Sequence, residues 1–299
     1  MVEYEVYRAK RILIVHKKVD EGWYWNKYAA HPYVGCFHGC HFCYSRAEKY
    51  MQYPDPTDFA ERIKVKINAH RLLRKELPRV ERNVIVTGDY QPAEKKFGLS
   101  RKMLKVVRDL RFPVHIVERS PYLMKDLDIL EDIRKQTWCC ISFSFSTVDE
   151  GLSRLLEFRA PSPRSRMRAI RELAKRGFLV GLSYMPIVPY ITDSIEMMEE
   201  TIATAKENGA KFVLCASMTM ESWQRDWLMD FLRENFPELV DRYEDLYAGN
   251  SYEPRRDYTN EIMKRASDLC KRYDIDERIP RPVFDEGWSK QASLDSWNR

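Results

Sequence analysis

The chain lacks a long hydrophobic run. Its early apolar stretch, Ile12-Leu-Ile-Val15, falls far short of the roughly 20 residues a membrane helix needs. It lacks a legible secretory leader, because the opening Met1-Val-Glu-Tyr-Glu-Val-Tyr7 is too charged for one. It lacks a strong charge imbalance. Fifty basic against 45 acidic side chains leave +5, which permits an anionic partner without demanding one. It lacks internal repeats and low-complexity tracts, so solenoid and linker architectures are excluded. It also lacks a paired cysteine framework: seven cysteines are an odd number, and three crowd into one short loop. These absences describe a soluble globular protein with no membrane partner, expected in a reducing, cytoplasmic compartment. There a cysteine cluster reads as metal-binding before disulfide.

What is present is an alternation. Apolar runs at 83–88, 114–118, 139–145, 178–184 and 211–216 read as buried strands. Amphipathic stretches at 99–110, 122–135, 163–176 and 193–208 read as the helices between them. A further strand is expected just before Cys36, which makes six βα units. Six are too few for an eight-stranded barrel and enough for an α/β partial (β/α)6 TIM-type barrel. Residues 1–30 read as an N-terminal extension with short strands, 31–220 as the barrel, and 221–299 as C-terminal helices and a tail. Parallel sheets of this kind place their sites at the C-terminal strand ends. The cysteine loop, Gly88-Asp89, Arg119, Ser144, Met185 and Ser217 fall there.

The cysteines are Cys36, Cys40 and Cys43, in the spacing C-x3-C-x2-C, with Phe42 before the last. Three thiolates on one loop can hold three corners of a four-iron cluster, and a missing fourth protein ligand leaves one iron open. Zinc is the rival: His38 or His41 would complete a Cys3His set. Structural zinc usually takes two separated ligand pairs, and no second pair is present. A cluster with a structural or electron-transfer role would favour a fourth cysteine, and none lies nearby. A non-catalytic zinc or Fe-S nucleic-acid-binding module is a further alternative. The arginines at 159, 164, 166, 168, 171 and 176 could grip phosphates, although a solvated basic face explains them as well.

This motif, with the aromatic before the third cysteine, resembles the signature of radical S-adenosylmethionine (radical SAM) enzymes. Gly88-Asp-Tyr-Gln-Pro-Ala-Glu94 and Phe158-Arg-Ala-Pro-Ser-Pro163 are similar to segments of the branch related to spore photoproduct lyase. The resemblance spans about residues 25 to 285. It implies a [4Fe-4S] cluster on Cys36, Cys40 and Cys43, with S-adenosyl-L-methionine on the open iron. One electron from the cluster would cleave the sulfonium and yield a 5'-deoxyadenosyl radical that abstracts hydrogen from a substrate. It also implies an external electron donor such as ferredoxin or flavodoxin. The substrate class, whether small molecule, peptide or nucleic acid, stays open.

The resemblance further implies a cofactor-binding set of Phe42, Thr87, Gly88, Asp89, Arg119, Ser142 and Ser144. Thr87 and Asp89 offer acceptors to the methionine ammonium, and Gly88 permits close backbone approach. Arg119, where a lysine is usual, would hold the carboxylate. Strand alternation puts Cys140, Ser142, Ser144 and Ser146 on one face and Cys139, Ile141, Phe143 and Phe145 on the other. The serine face is expected to line the lumen, with Cys140 a candidate hydrogen donor or plain packing. Tyr44 is a candidate hydrogen relay. Two departures argue against thymine-lesion repair: Val86-Thr87 stand where such lyases carry a cysteine, and Phe42 stands where they carry a tyrosine. A different reaction is implied, with photoproduct-lyase-like DNA repair or nucleic-acid modification as the alternative.

Overall fold

The alternation read from the sequence folds into one open sheet. The computed structural model describes residues 2–283. Its strands are β1 (Glu3–Tyr7), β2 (Ile14–Val15), β3 (Asn26–Ala30), β4 (Tyr33–Val34) and β5 (Arg62–Lys66). They continue with β6 (Val84–Thr87), β7 (Val114–Glu118), β8 (Cys139–Phe145), β9 (Leu179–Ile187) and β10 (Val213–Ser217). The main sheet has the order β10-β9-β8-β7-β6-β3-β2. Every neighbouring pair in it is parallel except the short edge strand β2 on β3. Six parallel strands therefore run side by side, and among the described residues β10 does not close onto β3. This is the expected partial barrel.

One boundary differs. The first barrel strand is β3, at 26–30, inside the segment read as an extension. The short β4 that adjoins Cys36 belongs to a second sheet, ordered β1-β5-β4. Pro32 stands between the two strands. It has no N–H to continue the ladder, and its carbonyl accepts from Lys66 N at 2.9 Å, on the second sheet. The tryptophans of the expected tail, Trp288 and Trp297, lie outside the described residues.

The outer face of the sheet is apolar and helix-covered. Ile141, Phe143 and Phe145 of β8 and Val180, Leu182 and Tyr184 of β9 are all fully buried in the main core. They share it with Met103 and Val107 of the helix Leu99–Asp109, Ile170 of Pro163–Lys175, Ile202 of Ile195–Glu207 and Ile262 of Arg256–Arg272. Each such side chain contributes about 1.5–3 kcal/mol by leaving water. The alternate residues of the same strands face the lumen. Cys139 is on the helix side, as expected. Cys215 is there too, beside Cys270, rather than in the lumen with Cys140.

The lumen has a closed floor. At the N-terminal strand ends, Trp23, Tyr24 and Trp25 pack against Cys140, Phe212, Leu214 and Ile279. Trp25 Nε1 donates to Ile279 O at 2.8 Å, and Tyr24 Oη donates to Met185 Sδ at 3.0 Å. The aromatic triplet thus seals the barrel end opposite the cysteine loop.

Candidate active site at the C-terminal strand ends

The cysteine loop is held by groups that leave its thiols free. Gly35 has φ +84, and a Cβ there would stand 2.7 Å from Arg62 O, so the loop enters along the second sheet only with glycine. Gln91 accepts from Phe37 N at 3.0 Å and donates to Gly35 O at 3.1 Å. Arg46, buried at 2% exposure, donates to Cys40 O at 3.1 Å and Gly39 O at 3.0 Å. Its guanidinium lies over the rings of Phe59 and Trp227, at 4.6 and 4.1 Å. Gln224 donates to Phe42 O at 3.0 Å. Backbone turns run from Cys36 to Gly39, Cys40 to Cys43 and Cys43 to Arg46. Burial raises the Cys36 pKa, and Cys43 and Cys40 raise it further, so the three sulfurs lie within electrostatic reach of one another.

At the next strand ends, a carboxylate pair faces the loop. Gly88 has φ +110, and a Cβ there would meet Ile116 Cγ2 at 3.0 Å. Asp89 Oδ1 lies 3.4 Å from His31 Nδ1. Burial alone would lower the His31 pKa, but Asp89 beside it raises it on balance. Asp89 Oδ2 is buried and, among the described residues, finds no hydrogen-bond donor. Glu118, at the end of β7, accepts from the backbone N–H groups of Tyr90 (2.7 Å), Arg119 (3.1 Å) and Ser120 (3.3 Å). Burial, with Asp89 adding to it, still pushes the Glu118 carboxyl up to about 8. Thr87 takes another role than expected. Its hydroxyl donates to Ala30 O at 2.8 Å and is 1% exposed, so it clamps β6 to β3.

Behind the loop lies a buried ionic cradle. Glu157, 1% exposed, is ion-paired with both Arg119 and Arg166. It also accepts from Ser146 N (3.1 Å), Ser146 Oγ (2.8 Å) and Ser153 Oγ (3.0 Å). Burial would raise its pKa, but the two guanidiniums overwhelm that and hold it at about 2. Arg166 donates to Ser144 O at 2.6 Å, and Arg119 lies 5.5 Å from the Phe42 ring centroid. Two arginines around one carboxylate leave one net positive charge. It faces the loop, where Cys40 Sγ lies 3.9 Å from Glu157 O.

The lumen face of β8 changes along its length. Cys140 is fully buried in the apolar floor. Ser142 Oγ, also buried, pairs with His115 Nε2 at 2.9 Å. Ser144 is partly exposed at the mouth. Tyr44 is 58% exposed, packs edge-on against Tyr50 at 5.4 Å, and lies within electrostatic reach of Cys43 and Asp89.

Residues 31–205 match the profile of the Radical SAM superfamily, more than half of the chain. The chain belongs to the radical SAM superfamily. An uncharacterized protein of Mycobacterium tuberculosis is 28% identical over 256 residues, 83% of this chain and 75% of that protein. An uncharacterized protein of Methanocaldococcus jannaschii is 26% identical over 177 residues, 58% of this chain and 66% of that protein. Among solved structures, a substituted spore photoproduct lyase superposes with a TM-score of 0.66 at 13% identity. That match covers 90% of this chain and 79% of the lyase. Another, with bound AdoMet and dinucleoside spore photoproduct, superposes at 0.63 and 14% identity, covering 90% and 78%. Identities this low establish a shared fold.

The radical SAM family implies a [4Fe-4S] cluster and S-adenosylmethionine, and the donor set here suits both. Among the described residues no group of three or more His, Cys, Asp and Glu side chains is drawn together closely enough to hold a metal ion, so the three thiols share one loop without forming a closed site. The loop supplies three soft thiols, a net positive cradle for the anionic cluster, and, at Asp89, an acceptor without a partner. The His41 imidazole suits zinc less well. His41 Nδ1 accepts from Trp227 at 3.2 Å, and its ring stacks on Phe231 at 4.1 Å. His38 Nδ1 stands 3.6 Å from Cys36 Sγ. The arginines at 159–176 do not gather on a single face. Arg166 is buried, Arg159 pairs with Glu61, Arg176 with Glu131 and Glu172, and Arg171 with Asn208.

Sequence reasoning missed Glu118, Glu157, His115 and Arg46. One signal was present: Glu157 immediately precedes the Phe158-to-Pro163 segment already singled out. No helix among the described residues is long and apolar enough to cross a membrane.

Proposed function

We propose that this radical SAM enzyme carries one [4Fe-4S] cluster on Cys36, Cys40 and Cys43 and uses it to cleave S-adenosylmethionine reductively. The observation that carries the reading is the three-thiol loop seated in a net positive cradle, on the same rim as the buried, unpartnered Asp89 Oδ2. When bound, the cluster supplies one electron to the sulfonium, and the resulting 5'-deoxyadenosyl radical takes hydrogen from a substrate.

The chain's own residues divide the remaining work. Asp89 Oδ2 accepts from the methionine ammonium, and the ammonium favours the ionised form of nearby Glu118. Arg119, held by Glu157 through Nη1, has further donors for the methionine carboxylate. Ser144, at the mouth, faces the ribose side, whereas Ser142 positions His115 deeper in the lumen. Arg46 and Gln91 fix the backbone of the loop that carries the three thiols. The aromatic floor keeps water from the lumen. Tyr44, exposed at the mouth, is the hydroxyl best placed to exchange a hydrogen atom with substrate. All seven cysteines are free, which supports a reducing, cytoplasmic home with an external donor such as ferredoxin or flavodoxin.

Thymine-lesion repair is not carried over from the structural neighbour. Thr87 offers no thiol, its hydroxyl is engaged by Ala30, and Phe42 has no hydroxyl. The test is cofactor cleavage. Anaerobically prepared, dithionite-reduced protein should convert S-adenosylmethionine to 5'-deoxyadenosine and methionine. Cys40→Ala should lose both the iron chromophore and at least ~100-fold of that rate, because a lost ligand removes the cluster. One zinc and no acid-labile sulfide per chain would refute the reading.

A further inference from the structure

Two segments singled out in the sequence, 88–94 and 158–163, meet outside the lumen. They line an open pocket of about 370 Å³, one wall of which is the cysteine loop itself, at Phe37 and His38. His38 is 6% exposed, and its Nδ1 lies 3.6 Å from Cys36 Sγ. Gln91, on the opposite wall, is hydrogen-bonded to the loop at Gly35 and Phe37. The cavity is therefore one side chain away from the Cys36 thiol.

Its rim is cationic. Lys95 is exposed, lies 5.5 Å from the Tyr122 ring centroid, and pairs with no described carboxylate. Lys125 stands 4.5 Å from the same ring, and Arg159 stands 4.6 Å from the Phe37 ring. Lys125 is partly neutralised by the buried Glu94 at 3.5 Å, and Arg159 by Glu61. Lys95 is thus the uncompensated charge. A space of this size takes a loop tip rather than a folded domain, and rim cations select an acidic one.

We propose that this cavity is the docking site of the external electron donor. Its occupant is the acidic face of a small low-potential electron-carrier protein. The lumen mouth is reserved for cofactor and substrate, so electrons enter the cluster past His38. One electron leaves the reduced carrier, which is oxidised, and reduces the oxidised cluster; no bond forms or breaks. The inference rests on the radical SAM reading above.

The experiment uses the cluster-loaded protein and flavodoxin, an acidic carrier, as the probe. Dissociation constants are measured by titration at low salt, and cluster reduction by reduced flavodoxin is followed by stopped-flow absorbance. Lys95→Glu should weaken binding ~10-fold, slow cluster reduction comparably and flatten its salt dependence, since rim charges act chiefly on association. The ratio of flavodoxin-driven to dithionite-driven cleavage should fall with it, and Lys95→Arg should restore the ratio. Lys49→Glu makes the same charge change beside Tyr50 and Glu221 and should leave both readouts at native values. Native binding by Lys95→Glu, or equal weakening by Lys49→Glu, overturns the proposal. Absent dithionite-driven cleavage in the native chain refutes the enzymatic reading instead.

Discussion

β8 passes through two environments on one face. At its N-terminal end Cys140 is enclosed by Phe212, Leu214, Ile279 and the Trp23-to-Trp25 plug. Beyond its C-terminal end, Ser146 reaches Glu157, between two guanidiniums. The residues between them grade from the buried Ser142–His115 pair to the partly exposed Ser144. Alternation alone assigns all four to the lumen. Position along the strand then separates them: packing at the floor, polar chemistry at the rim. The floor is stabilised by apolar burial, which tolerates substitution, whereas the rim depends on matched charges, which do not.

Glu157 is where that contrast is broken most severely. Glu157→Ala leaves Arg119 and Arg166 facing each other without a counter-charge, the first mostly and the second fully out of water. The expected cost is ~3–5 kcal/mol in denaturant unfolding. The sign of its pH dependence follows from the depressed pKa. Its contribution is full above the ordinary 4.5 and is lost as pH falls towards about 2. A loss below ~1 kcal/mol in Glu157→Ala would show that the cradle is not a structural unit.

These residues also mark how far the sequence could be read. The six βα units and the site-bearing strand ends were legible because hydrophobic period and strand spacing are local properties. The Thr87 hydroxyl was not, since its partner, Ala30, is 57 positions away in sequence. Glu157 and Arg166 pair across a helix junction that no periodicity encodes. Fold followed from local pattern; the charge cradle followed from contacts between segments.

The second way to sharpen the comparison uses the other rim carboxylate. Glu118 is raised from the ordinary 4.5 to about 8, first by burial and then by Asp89. Between those values the unfolded chain releases a proton that the folded chain keeps. Stability should therefore fall as pH rises through that window, by at most about 1.4 kcal/mol per pH unit. Asp89→Asn removes the neighbouring charge, so the Glu118 pKa should drop and the window should narrow. Unfolding free energies across pH 4–9, roughly the interval set by linkage, measure this directly. An identical slope in Asp89→Asn would separate the two carboxylates electrostatically.

The smallest effect is expected at the floor, and it tests the contrast from the other side. Cys140 is fully buried among apolar side chains, several residues below the mouth on the same strand. Cys140→Ala removes one sulfur from that packing and should cost ~1–2 kcal/mol, by analogy with other small core deletions. The rate of S-adenosylmethionine cleavage should be unchanged, because no rim group touches the thiol. Cys140→Ser should cost more than Cys140→Ala despite its closer shape, since a hydroxyl in that floor has no partner. If Cys140→Ala instead retains stability and cofactor cleavage but stops conversion of substrate, then the thiol communicates with the radical through the lumen. Distance along the strand would then no longer divide chemistry from packing.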